Sequence, residues 1–261
     1  MRAIWTGAIG FGLVNIPVKM YTATERSELN FDMLDKDDLS RIKFKRVNEN
    51  TGKEVAFGNI VKGYKTNNKY VVLTKQDFES AAAKKTNTIE ISEFIKEEEI
   101  DSIYFENPYF LEPVKTGSRA YALLREALQK TGMVGIATFV MHNKESLSIL
   151  RSSNEVIILN RIRFSQEVRD PGELHLPEKA TIKKSEMDMA ISLIKQLSGK
   201  FDITAYKDTY TKQLLSLINA KQKGKKVSVP KMKVVHSEKE DLMSQLKASL
   251  NPTTLKSKKA S

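Results

Sequence analysis

The sequence of 261 residues contains no cysteine, which excludes disulfides, cysteine-ligated zinc, iron–sulfur clusters and thiol nucleophiles. Histidine is almost absent too, because the chain has only His142, His175 and His236, and their spacing does not put two of them on one helix face as metal ligands. A Gly-x-x-x-x-Gly-Lys-Ser/Thr loop for ATP phosphates is missing. No pair of a nucleophile and a base stands out, so we predict a protein that is not an enzyme and needs neither a metal nor a cofactor.

Long hydrophobic runs are also missing from the sequence. No segment approaches the run of about 18 apolar residues that a membrane span requires. The N-terminus lacks the charged segment, apolar core and small-residue cleavage site of a secretory signal. We therefore expect a soluble cytoplasmic protein without a membrane partner.

Positive charge is what the sequence has in excess. The 43 lysines and arginines outnumber the 32 acidic residues, which gives a net charge of +11 and a pI near 9.5. Residues 221–261 hold 11 lysines and only 3 acidic residues, so the tail carries most of this excess. Such a balance favours a polyanionic partner, most often a nucleic acid.

The first 165 residues read mainly as short β-strands separated by turn-forming or charged residues. Their number, with few helices between them, predicts a β-barrel or a sandwich. Two helices are expected at residues 75–83 and 119–131, and the second should lie on the sheet. We expect Gly7, Gly10 and Gly12 in a turn and a strand bend, because no helix follows them as a dinucleotide-binding loop would require. The predicted strands are residues 3–5, 11–21, 41–47, 70–74, 88–95, 103–114, 134–142 and 156–164.

The pattern changes to helices after the turn at residues 169–172. Apolar residues recur at helical spacing in residues 186–197, with Ser185 as the expected cap, and again in residues 206–222. A lysine-rich linker follows, and Ser237 with Glu240 forms a capping box for a last short helix. That helix carries Leu242, Met243, Leu246 and Leu250 on one side, and we expect this side to dock on a partner or back on the core.

The strongest chemical signal lies in the predicted strand at residues 41–47. A period of two sends Arg41, Lys43 and Lys45 to one face, and Ile42 and Phe44 to the other. Alternate side chains would stand roughly 7 Å apart, which suits a row of contacts to a phosphate backbone. An ordinary solvated edge strand would carry the same pattern, because lysine and arginine at an edge also deter aggregation.

Several motifs in order along the chain resemble those of bacterial Ku proteins, the DNA-end-binding factors of non-homologous end joining. The opening carries Ile4-Trp5-Thr6-Gly7 and then Phe11-Gly12-Leu13-Val14-Asn15-Ile16-Pro17-Val18-Lys19. Further matching motifs are Ile60-Val61-Lys62-Gly63-Tyr64, Tyr70-Val71-Val72-Leu73-Thr74, Glu167-Val168-Arg169-Asp170 and Asp241-Leu242-Met243. Many relatives also carry a Cys-x-x-Cys pair after the basic strand, where this chain has Val47-Asn48-Glu49-Asn50-Thr51-Gly52.

The resemblance implies a mainly β fold with α-helices, built as a Ku-type β-barrel core with a DNA-encircling arch, a helical C-terminal region and a basic tail. It places the core and arch at residues 1–170, the helical region at 171–222, and the linker with the short helix at 223–261. It further implies a symmetric homodimer that closes a ring around double-stranded DNA ends. The short helix, through Leu242, Met243, Leu246 and Leu250, would serve an ATP-dependent end-joining DNA ligase of the ligase D type.

Basic residues in the predicted arch and tail are the candidate DNA contacts under this resemblance, and the protein should work at the bacterial nucleoid. A protein that accepts any broken end cannot read base edges, so its affinity should come from phosphates and its end selectivity from threading a closed ring. A nucleotidyltransferase is disfavoured because the nucleotidyl-accepting Lys-x-Asp-Gly motif is missing, and a nuclease because the acidic residues do not pair convincingly. A general basic chaperone or RNA-binding protein would ignore ends. The candidates are Lys19, Arg41, Lys43, Lys45, Arg46, Lys53, Lys62, Lys65, Lys69, Lys225 and Lys226.

Overall fold

A computed structural model describes residues 1–25, 27–81, 87–141, 144–177, 182–225 and 242–250. The chain forms two compact units, Met1–Pro171 and Gly172–Ser261. The strands are β1 Trp5–Phe11, β2 Val14–Thr22, β3 Lys62–Thr66, β4 Lys69–Leu73, β5 Thr88–Lys96, β6 Phe105–Pro113, β7 Met133–Met141, β8 Lys144–Ser153 and β9 Val156–Ile162. The helices are α1 Lys75–Ala81, α2 Ser118–Thr131, α3 Lys184–Leu197, α4 Thr209–Gln222 and α5 Leu242–Leu250. None of these helices is long and apolar enough to cross a membrane.

Seven strands of the first unit close into a barrel in the order β1-β2-β6-β9-β8-β7-β5. Every neighbouring pair is antiparallel except β1 and β5, whose parallel pairing closes the barrel. Closure removes the free sheet edges of these strands, as the prediction of a barrel anticipated. The remaining two strands, β3 and β4, form a separate antiparallel hairpin.

The glycines near the N-terminus have two different roles. Gly12 has φ of +58° and forms the turn between β1 and β2, while Gly7 and Gly10 lie inside β1. A Cβ at Gly7 would stand 2.2 Å from the carbonyl oxygen of Asn87, which accepts a hydrogen bond from the Ala8 amide at 2.9 Å. Glycine is therefore needed where the chain enters β5 and closes the barrel.

Helix α2 packs on the barrel core, as its apolar face predicted. Leu124 and Leu128 are almost fully buried, and Gly132 ends the helix in the left-handed conformation, with φ of +65°. The buried hydroxyl of Tyr121 donates to the Leu111 carbonyl at 2.6 Å and accepts from the Ile157 amide at 2.7 Å, so it joins α2 to two strands. Burial raises the pKa of Tyr121, which keeps this hydroxyl protonated as a donor.

The core consists of inward-facing aliphatic residues from all seven barrel strands, together with the buried face of α2. Fully burying one such side chain contributes about 1.5–3 kcal/mol, so this cluster is the main source of stability of the first unit. The fully buried members are Ile9, Ile16, Val18, Met20, Ile89, Leu111, Ala137, Leu150, Ile157 and Leu159.

The predicted strand at residues 41–47 is wrong. The segment forms only two isolated bridges, Leu34 with Arg41 and Val47 with Glu54, and no continuous ladder. Phe44, expected on a buried face, is 80% exposed. Alternation alone does not make a strand when no neighbouring strand or core receives the apolar side.

Two real strands, β3 and β8, were missed by the sequence reasoning. Their compositions explain this, because β3 is lysine-rich and β8 places Ser146 and Ser148 where apolar residues are expected. Both serines are buried, and the Ser148 hydroxyl donates to the Ala137 carbonyl at 3.0 Å on the neighbouring strand. A buried hydroxyl satisfied in this way breaks the hydrophobic alternation without breaking the sheet.

The second unit contains the three predicted C-terminal helices, with different starts. Helix α3 begins at Lys184, one residue before the expected cap Ser185, and α4 begins at Thr209 because the Asp208 carboxylate accepts from the Thr211 amide at 3.0 Å. Helix α5, whose apolar side was expected to dock on a partner or back on the core, packs against α3. The capping box at Ser237 and Glu240 lies outside the described residues.

Candidate nucleic-acid interface

Residues 23–87, between β2 and β5, form a long insertion into the barrel that we call the arm. The described part of the arm holds the β3–β4 hairpin, α1 and two loops, and none of its residues is buried. It is rich in both cationic and large apolar side chains. A segment of this length without buried residues gains little from its own packing, so its side chains are available to partners.

The two loops of the arm flank the basic segment at residues 41–47. In the first loop the Ile42 amide donates to the Met33 carbonyl at 2.9 Å, beside the bridge from Leu34 to Arg41. In the second loop the Val55 amide donates to the Arg46 carbonyl at 2.8 Å, beside the bridge from Val47 to Glu54. The segment therefore runs from one loop to the other and is held at both ends.

The three alternating cations have different surroundings. Arg41 forms an ion pair with Asp32, and the Lys45 ammonium lies 2.8 Å from the Glu54 carboxylate. Lys43 lies between them and has no carboxylate within 4.0 Å among the described residues. The three cations look equivalent in the sequence, but in the structure two of them, Arg41 and Lys45, are already paired with carboxylates.

Two other candidate cations lie over aromatic rings. The Arg46 guanidinium is 5.2 Å from the centre of the Phe57 ring, and the Lys62 ammonium is 4.8 Å from that of Phe78. Such contacts restrain a long side chain and leave its positive charge uncompensated. These two side chains are therefore held in place while their charge stays available to an anion.

The β3–β4 hairpin divides its lysines between two faces. Lys62 and Lys69 share one face with Tyr64, because residues paired across the strands lie on the same side. Lys65 is paired with Tyr70 and lies on the other face. The three lysines that follow one another in the sequence therefore do not form a single row.

The remaining candidate residues are spread over both units. Lys19 is exposed on the outer side of β2, where it pairs with Glu112 of β6, and Lys53 is exposed in the second loop of the arm. Lys225 is exposed after α4 in the second unit, and Lys226 lies outside the described residues. The four residues predicted to recruit the ligase lie on α5. Leu242 is the first residue of this helix, and Met243, Leu246 and Leu250 are half-buried.

Sequence reasoning missed the exposed apolar side chains of the arm. They stand beside the cations and make a large apolar surface, which in a folded protein marks an interaction site. A cleft of about 590 Å³ lies between the hairpin and α1, with Ile60, Leu73 and Phe78 in its lining. The exposed members include Phe31, Leu39, Phe44, Phe57, Val61, Tyr64, Tyr70, Val71 and Val72.

In the described part of the chain, no three histidine or acidic residues come together in a way that could hold a metal ion. Several acidic side chains of the arm are instead engaged with cations or with backbone amides. Asp35 accepts from the Asp37 amide at 2.9 Å, and Asp38 accepts from the Ser40 amide at 2.8 Å, which lowers the pKa of Asp38. These two carboxylates shape the first loop.

Comparison with known proteins confirms the resemblance seen in the motifs. Residues 10–189 match the family model described as the Ku70/Ku80 beta-barrel domain. A protein of Bacillus subtilis (strain 168) is 39% identical over 257 residues, covering 97% of this chain and 83% of its own length. Proteins of Coxiella burnetii (37% identical, 100% of this chain and 98% of its own) and Archaeoglobus fulgidus (40% identical, 96% and 98%) are equally similar. All three relatives are named non-homologous end joining protein Ku, and this chain belongs to the Ku family.

Proposed function

We propose that this protein binds the ends of double-stranded DNA in non-homologous end joining, as a ring-shaped homodimer that does not read sequence. The observation that carries the proposal is the arm of a Ku-family barrel, none of whose described residues is buried. Its cations include Lys43, which has no carboxylate partner among the described residues. No catalytic step is part of this function, and the work of the protein is to hold ends and bring an end-joining ligase to them.

The chemistry of the arm fits contacts to phosphates and not to bases. Most of its cations are lysines and arginines on loops and on a short hairpin, and no helix within the described part of the arm is long enough to fill a major groove. Contacts to phosphates neutralise charge and release counterions, so they supply affinity to any sequence. Recognition of an end then requires topology, because a closed ring can be threaded only from a free terminus.

A second copy of the chain is the proposed cover for the apolar surface of the arm. Leaving so many large apolar side chains in water is unfavourable, and a two-fold interface buries the same patch on both copies at once. Symmetric pairing of two arms would also bring both sets of cations around one duplex. The ring therefore needs only one self-complementary surface.

The second unit is the proposed site for the ligase, an ATP-dependent enzyme of the ligase D type. Helix α5 and the helix α3 against which it packs both keep apolar side chains partly exposed, among them Ile194, Leu246 and Leu250. A pair of amphipathic helices of this kind can accept a complementary helix or groove of a partner.

The test is competition between a plasmid in its covalently closed form and the same plasmid cut once. We expect only the linear form to displace a labelled blunt-ended duplex, whatever the sequence at the cut. Binding should weaken steeply with salt, with a slope of about −0.9 in log K against log salt for each phosphate neutralised. Equal competition by the closed plasmid, or an affinity independent of salt, would refute the proposal.

A further inference from the structure

The ion pairs of the arm place carboxylates on two of the cations that the proposed function assigns to DNA. Asp32 holds Arg41 across the first loop, and Glu54 holds Lys45 across the second, each pair joining residues nine positions apart. In both pairs the cation and the acid lie diagonally across an isolated bridge, which brings long side chains together. The two loops therefore repeat one arrangement on either side of Lys43.

These pairs are exposed, and so they are open to exchange with another anion. The side chains of Arg41 and Asp32 are 73% and 60% exposed, and those of Lys45 and Glu54 are 71% and 59% exposed. Exposed pairs of this kind are weak, because water and salt screen them. A phosphate oxygen offers the same cations a full negative charge and equivalent acceptor geometry.

We infer that Asp32 and Glu54 act as built-in competitors of DNA phosphates for Arg41 and Lys45. This inference rests on the proposed function. In the free protein the carboxylates occupy the two cations, and a phosphate backbone must displace them to gain these contacts. Lys43 and Arg46 remain available throughout and make the first contacts.

The arrangement gives the arm a threshold for polyanions. Duplex DNA presents one negative charge per ~1.7 Å of axis, and this density can outcompete two fixed carboxylates. A sparsely charged surface, such as that of an acidic protein, has no such excess. The two carboxylates thus weaken non-specific binding to sparsely charged surfaces. They reduce the retention of DNA little, because the ring already holds DNA by threading.

The test is a double-mutant cycle on binding to a blunt-ended duplex, using the full-length protein. Asp32→Asn and Glu54→Gln remove the competing charge, while their amide oxygens still accept a hydrogen bond and preserve the loop. Each should tighten DNA binding about twofold to fivefold. The gain should disappear when Asp32→Asn is made in an Arg41→Gln background, and when Glu54→Gln is made in a Lys45→Gln background, because nothing is left to release.

Matched controls separate this effect from net charge. Glu98→Gln and Glu126→Gln each remove a carboxylate that pairs with a lysine outside the arm, at 3.7 Å on the barrel and at 4.0 Å on α2, and should change affinity far less. Weaker binding by Asp32→Asn or Glu54→Gln would overturn the inference, because the carboxylates would then be orienting the cations. Equal gains in the controls, or gains that persist without Arg41 and Lys45, would also overturn it. Failure of the proposed function itself is detected in a separate experiment, because the wild-type protein would then bind closed plasmid as well as it binds linear plasmid.

Discussion

The cations at residues 41–46 of the arm do not all have the same kind of neighbour, and the neighbour decides what each cation can contribute to DNA binding. Arg41 and Lys45 have carboxylate partners, Arg46 lies over Phe57, and Lys43 is unpaired among the described residues. A cation over a ring keeps its charge, whereas a cation beside a carboxylate has most of it compensated. Lys43 and Arg46 should therefore make larger individual contributions to DNA affinity than their neighbours.

Reversing the charge of Arg41, Lys43 and Lys45 together tests this segment. The variant Arg41→Glu, Lys43→Glu, Lys45→Glu should lose most of its affinity for a blunt-ended duplex and show a shallower salt slope, by about 0.9 for each lost phosphate contact. Its unfolding temperature should change little, because all three side chains are exposed. Fluorescence anisotropy at several salt concentrations measures the affinity for DNA and its salt slope.

A control variant reverses three lysines of the barrel, Lys96, Lys115 and Lys130. Two of these, Lys96 and Lys130, are paired with glutamates at 3.7 Å and 4.0 Å, so the control resembles the test in its pairing as well as in its charge. The control should retain most of the affinity. Equal losses in the two variants would mean that DNA responds to the total charge of the protein and not to this segment.

At the scale of elements, the β3–β4 hairpin offers the clearest surface for a second copy. Tyr64 and Val71 are paired across its strands and are 66% and 50% exposed, although both are residue types that favour burial. The hairpin is held by a two-residue turn in which Asn67 and Asn68 both have positive φ, as tight hairpins require. A short and well-defined hairpin of this kind can present its apolar face without help from a core.

Tyr64→Glu with Val71→Glu should convert the proposed homodimer into a monomer, because burying two charges in an apolar interface without partners is unfavourable. Light scattering after gel filtration measures the molar mass directly. The affinity for DNA ends should fall together with dimerisation, since a single copy cannot close a ring. The matched control is Leu123→Glu on α2, where an equally exposed apolar residue lies on the barrel. A variant of the hairpin that stays dimeric would place the interface elsewhere.

At the scale of the whole molecule, the two compact units separate the proposed tasks. The first contains the barrel and the arm, and the second contains α3, α4 and α5. Helix α5 packs on α3 within the second unit, and all members of the barrel core belong to the first unit, so removing α5 removes no residue of that core. DNA binding and ligase recruitment should therefore be separable by truncation.

Deleting residues 237–261 should leave dimerisation and end binding largely intact and reduce the stimulation of the partner ligase in an end-joining assay. The control deletes only residues 251–261, which removes three lysines and retains α5. Stimulation should survive in this shorter truncation. Normal stimulation by the longer truncation would show that the helix carrying Met243 and Leu246 is not the recruiter, and loss in both would assign the role to the basic tail.

The sequence by itself determined the elements whose signals are local. Alternating apolar residues marked the cores of β5, β6, β7 and β9, and Gly132 marked the end of α2, because side-chain period and a positive φ depend only on nearby residues. The ordered motifs from Ile4 onward identified the family, and with it the barrel. The charge excess and its location were likewise readable from residue counts.

Only the tertiary structure decided which neighbours these elements and charges meet. Alternation could not show that residues 41–47 lack a ladder, and the serines of β8 hid a strand in which the buried Ser148 hydroxyl finds its partner on the neighbouring strand β7. Counting cations could not show that Asp32 and Glu54 neutralise two of three equal positions, or that the hairpin sends Lys65 to a different face from Lys62. The physical reason is the same in each case: strand pairing, hydrogen bonding and Coulomb interaction act through distances in space, which folding sets and the order of residues alone does not.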